Sequence, residues 1–138
     1  QLPEDRMGHT HFWEDLNYSS YSYERFYAEV LNAPDQETLE AGLHEKWGTD
    51  TQNLIQELAN LDNLGYYFPR FRDVNESHCT SIIEFQNSDI QEAGLELDDF
   101  INSVLEGQGP VMQASEADTQ ADHNKPFNPF YALLKEVM

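Results

Sequence analysis

The chain has 138 residues, with 26 Asp and Glu against 7 Lys and Arg, a formal net charge of −19, and 39% hydrophobic residues. That is enough apolar material for one ordinary domain core, and the acidity argues against direct binding to nucleic-acid phosphates or to anionic membranes, both of which require concentrated positive charge. A single cysteine, Cys79, rules out an intrachain disulfide framework and fits a reducing, cytoplasmic setting, and no apolar run is long enough to span a bilayer.

The first 18 residues mix Phe12, Trp13, Leu16 and Tyr18 with charges and show no clean period, as expected of an anchored arm or a short edge strand. His9 and His11 form an H-x-H pair that a strand would place on one side. The remaining candidates, His44, His78, Cys79 and His123, form no cluster with spacing that completes a metal site, so the pair reads as packed or surface histidines and no metal is expected.

From Ser19 to Ala33, the residues Tyr23, Phe26, Tyr27, Val30 and Leu31 recur at helical spacing and predict an amphipathic helix with an aromatic face. Pro34 ends it. Asp35 then has the character of an N-cap for a second helix over 35–47, with Leu39, Leu43 and Trp47 on its stripe, and Gly48 is expected to close it. Thr49 and Gln52 have capping-box spacing for a third helix running to a C-cap at Gly65, with Leu54, Ile55, Leu58 and Leu61 as its core face.

After Gly65 the pattern YYFPRFRDV alternates, and TSIIEFQ over 80–86 offers a second run, so an antiparallel hairpin or small sheet is expected, with Pro69 on an edge. SDIQEAGLELDDFINSVLEG then predicts an acidic helix over 88–107, interrupted by Gly94. The expected fold class is α+β, mostly helical. It comprises three consecutive helices joined by short turns, the hairpin, the acidic helix and a C-terminal helix. Residues 1–106 form one acidic domain, 107–126 a flexible linker, and 127–138 an amphipathic segment initiated by Asn128 and Pro129.

The sequence carries no phosphate-binding glycine loop, no nucleophile elbow, no HExxH and no paired-cysteine motif, so neither catalytic residues nor a cofactor are expected. Its distinctive feature is a gap in positive charge. No Lys or Arg falls between Arg72 and Lys125, a stretch that includes Asp89, Glu92, Glu96, Asp98, Asp99, Glu106, Glu116, Asp118 and Asp122. Solvated helices ordinarily mix both signs and gain i,i+4 pairs from doing so.

The expected function is therefore a non-catalytic acidic binding protein that occupies a basic surface of another protein. An inhibitor, immunity protein or nucleic-acid mimic acting on a nuclease or nucleic-acid-binding protein is its sharpest form. The contact residues would be Glu37, Glu40 and Glu45 on one helix and Asp89, Glu92, Glu96, Asp98, Asp99 and Glu106 on another. If the two helices are neighbours, their acid rows can imitate a stretch of phosphate backbone. An adaptor or chaperone-like module binding through the apolar C-terminal segment is the alternative from a different class, and acidity suited to a saline habitat is a third account.

Overall fold

The computed structural model describes residues 5–27, 32–72, 77–80, 88–90 and 93–117. Among them, β1 (Met7–Thr10) is followed by α1 (Leu16–Phe26), α2 (Gln36–Leu58), β2 (Leu64–Phe68), α3 (Leu97–Leu105) and β3 (Gln113–Ser115). All strand pairings are parallel, in the order β1-β2-β3, with Met7 opposite Leu64 and Tyr66 opposite Gln113.

The expected antiparallel hairpin is thus replaced by a small sheet of parallel strands. Gly65, Tyr66, Tyr67 and Phe68 are all buried, so β2 is a central strand covered on both faces. A continuous apolar run is the pattern of such a strand, and parallel neighbours demand long crossovers instead of a tight turn. Pro69 ends the strand. Of the run expected to pair with it, residues 81–86 lie outside the described residues and Thr80 sits in a turn. The partners come instead from the N-terminal arm and from 113–115, inside the stretch expected to be linker.

The second correction is at Gly48. The two helices expected to meet there form one 23-residue helix, α2, capped by Asp35, whose carboxylate accepts from Thr38 N at 2.8 Å. A glycine inside a helix costs only about 1 kcal/mol, and α2 crosses it without a break. Thr49 consequently makes no cap; its hydroxyl donates to the Glu45 carbonyl at 2.9 Å within the helix. Gly65 is likewise no C-cap, because α2 ends at Leu58 and Gly65 lies within β2.

α1 begins earlier than expected, at Asp15, whose carboxylate accepts from Tyr18 N at 2.6 Å. α3 is shorter than expected. Its predicted first half is irregular, with Ile90 bridged to Leu95 around Gly94, which has a φ of +62° that a helix cannot contain. Its end matches expectation, with Gly107 left-handed at φ +68°. The C-terminal helix over 127–138 and the linker from 118 onward lie outside the described residues.

Because side chains alternate along a strand, β2 serves two layers. Tyr67 faces α3, where it joins Ile90, Leu97, Phe100, Val111 and Ala114 in the buried cluster; its hydroxyl donates to the Leu95 carbonyl at 2.8 Å and accepts from Ile90 N at 3.0 Å. Tyr66 and Phe68 face the other way. On that side Phe68 lies against His9 and His11, and His11 against Trp47 of α2. The sheet therefore separates α3 from α1 and α2.

Candidate functional site

The acidic residues expected to bind a partner fall into two groups with different roles. Glu37, Glu40 and Glu45 are exposed along α2; Glu37 occupies its first turn, where negative charge suits the helix dipole, and Glu40 accepts from Gln36 Nε2 at 2.9 Å. Those around α3 serve its N-terminus. Asp89 is half-buried and accepts from Leu97 N at 3.2 Å, with burial holding its carboxyl above the usual range. Glu96 is the N-cap residue, Asp99 accepts from Glu96 N at 3.4 Å, and Asp98 lies in the first turn. Glu106 is exposed at the C-cap, and Glu92 lies outside the described residues.

The two groups are not brought together. α2 and α3 lie on opposite faces of the sheet, so their acids form no paired rows and the phosphate-backbone arrangement is lost. Four of the five described cations, by contrast, are held against the fold, while Arg25 is exposed on α1. Arg6 donates to the carbonyls of Ser103, Val104 and Gly109 around the C-terminal end of α3. Arg72 is buried against Glu116, with Nη2 at 2.8 and 2.9 Å from the two carboxylate oxygens. Arg70 lies 4.7 Å from the Trp13 ring centroid and 3.7 Å from Glu14, and Lys46 lies 4.1 Å over Tyr27 and 3.6 Å from Asp50.

A second feature was not anticipated. A cavity of about 580 Å³ opens between the carboxyl end of β1, the face of α1 and α2, and the turn at 78–80. Ligand sites in open parallel sheets commonly lie beyond the carboxyl ends of the strands, and this volume is within the range of small-molecule pockets. α2 contributes Trp47, Asp50, Thr51 and Leu54, at i, i+3, i+4 and i+7 on one face. α1 contributes Tyr18 and Tyr23 with Asp15 at its cap, and the turn contributes His78 and Cys79.

The histidine pair lies on one wall. His9 Nε2 is 2.9 Å from His11 Nδ1, and His11 Nε2 is 2.9 Å from Thr51 Oγ1. The His11 ring stacks on Phe68 at a centroid distance of 4.2 Å. Burial, then the neighbouring His9, lowers the His11 pKa to about 3, and burial also lowers that of His9. Both rings are therefore neutral at physiological pH. Opposite them, Tyr23 donates to Asp50 at 2.9 Å, and His78 Nδ1 is 3.0 Å from Asp15. Among the described residues no group of three or more His, Cys, Asp or Glu side chains could hold a metal ion.

The buried histidine sets a pH dependence. An unfolded His11 takes up a proton near pH 6.5, whereas the folded one resists until about 3, so the unfolded state binds more protons across that interval and stability falls as pH drops through it. The urea midpoint of the wild type is expected to be lower at pH 5 than at pH 7, and the difference should shrink in His11→Phe. An equal drop in the variant would assign the acid sensitivity to other groups.

No helix among the described residues is long and apolar enough to cross a membrane. No protein-family model, curated protein or solved structure matches the chain.

Proposed function

We propose that the protein is a non-catalytic acidic binding module that docks on a basic surface of another protein. The observation that carries this reading is the sidedness of its charge. Of the described Lys and Arg, Arg6, Lys46, Arg70 and Arg72 are held against the fold's own carbonyls, carboxylates and rings and Arg25 is exposed, while Glu37, Glu40, Glu45, Asp98 and Glu106 all stand exposed. The outward field is then dominated by carboxylates, which steers cationic partners and accelerates their encounter. Blocking a nuclease or another nucleic-acid-binding protein remains one form of this activity, through the exposed carboxylates of α2 and without an imitation of the phosphate backbone.

The test is the salt dependence and site dependence of association. A partner recovered at low salt should be a basic protein, released at roughly 0.5 M salt, where charges are screened beyond about 4 Å. With that partner in hand, the triple variant Glu37→Gln/Glu40→Gln/Glu45→Gln should associate about tenfold more slowly while dissociating at nearly the wild-type rate. Salt-independent binding, or an unchanged association rate, would remove the electrostatic reading. A sharp loss of stability without molar salt would instead favour adaptation to a saline habitat.

A further inference from the structure

We propose that the cavity beside β1 binds an alkylammonium group, the charged head of a free amine or of a lysine side chain. The inference does not rest on the acidic-surface reading, and either can fail alone. Trp47 is flanked by Tyr18 at a centroid distance of 5.6 Å and 51°, and by Tyr23 at 5.3 Å and 67°. All three rings line the cavity and are inclined to one another, so a cation entering it would meet several electron-rich aromatic side chains, the kind of lining that attracts an ammonium.

The charge of the lining selects the same class. Asp15 and Asp50 both line the cavity, and no Lys or Arg does. An anion would meet the carboxylates of Asp15 and Asp50, the first held by His78 at 3.0 Å and the second by Lys46 at 3.6 Å, and among the described residues no group of three or more His, Cys, Asp or Glu could hold a metal. The two histidines on the wall add no positive charge at neutral pH, because both are held neutral. The fold already makes this contact once at the cavity's edge, where the Lys46 ammonium lies over the Tyr27 ring and 3.6 Å from Asp50. Within the cavity Tyr18 remains 48% exposed, an aromatic wall with room for an occupant.

The full chain should be titrated with choline, with its neutral carbon analogue 3,3-dimethylbutan-1-ol, and with a short Gly/Ser peptide carrying one trimethyllysine, following tryptophan fluorescence and ligand NMR signals. Choline is expected to bind at least tenfold more tightly than the analogue, since shape and apolar area are shared and only the charge differs. Tyr18→Leu and Asp50→Asn should each weaken choline binding several-fold, with circular dichroism confirming the fold; Tyr18 is the safer probe because it is half-exposed. Tighter binding of the peptide than of choline assigns the site to a lysine on a partner chain, and the reverse assigns it to a free amine. Equal affinity for choline and its neutral analogue, binding unaffected in both variants, or no binding of any ammonium probe overturns the proposal.

Discussion

Glu116→Gln is expected to destabilise the protein by about 3–5 kcal/mol, the range for breaking a buried ion pair by removing one partner. Both carboxylate oxygens are committed: Oε1 and Oε2 accept from Arg72 Nη2, and Oε2 also accepts from Arg70 N at 2.6 Å. Both side chains of the pair are at most 2% exposed, so the amide would leave a guanidinium facing a neutral oxygen with no water to share its charge. The Glu116 main chain extends β3 by donating to the Phe68 carbonyl at 2.9 Å, so loss of the pair should loosen that edge as well. Urea unfolding of Glu116→Gln, Arg72→Met and the double variant Arg72→Met/Glu116→Leu checks this. The double variant should recover much of the loss, because it removes the stranded charge together with its partner. A double variant no better than either single one would show that the pair's hydrogen bonds to the backbone, and not its charges, hold the site.

The other large effect is expected at Gly65. A Cβ there would fall on Val111 Cγ1 and on the Met112 carbonyl oxygen, both closer than the 3.0 Å that real Cβ atoms respect. A side-chain methyl can turn away, but the carbonyl cannot, since it accepts from Tyr66 N at 3.1 Å. Gly65→Ala must therefore push β2 away from the segment at Met112 that leads into β3, at a cost of about 3 kcal/mol, the upper end for overpacking a core. Gly8→Ala makes a useful comparison. Its nearest obstacles are the far ends of side chains, Phe100 Cζ at 2.6 Å and Val104 Cγ2 at 2.7 Å, which can rotate, so its effect should be smaller. A denaturant midpoint for Gly65→Ala at or above that of Gly8→Ala would show that the backbone there can yield.

Local signals were legible where one residue determines a terminus. Asp35 and Gly107 mark helix ends in the sequence and mark them in the structure, because a cap depends on a few neighbouring atoms. Strand direction was not legible. The run from Gly65 to Phe68 is apolar whether its partner is parallel or antiparallel, and only the tertiary fold brings Met7–Thr10 and Gln113–Ser115 to its two edges. The cavity was hidden by the same glycine that misplaced the helix boundary. Trp47, Asp50, Thr51 and Leu54 share a face only if the helix runs through Gly48; with a break there, Trp47 belongs to one element and the other three to the next. The acids were visible as charge, but their division between capping α3 and facing solvent depends on where that helix starts.

The sheet order has a consequence for how the molecule comes together in time. β2 pairs with residues 7–10 on one edge and 113–115 on the other, so neither pairing can begin as a hairpin, and each must close a loop of several dozen residues before any ladder bond forms. Helices α1 and α2 can form from local contacts while β2 waits. Until the chain has been made past residue 115, that strand carries Tyr66, Tyr67 and Phe68 beside an unpaired edge, the combination most prone to pairing with another chain. Synthesis that stalls before β3, or cleavage that removes it, would thus leave an acidic polypeptide with one adhesive aromatic strand, whose remaining protection against self-association is the repulsion of its own charge.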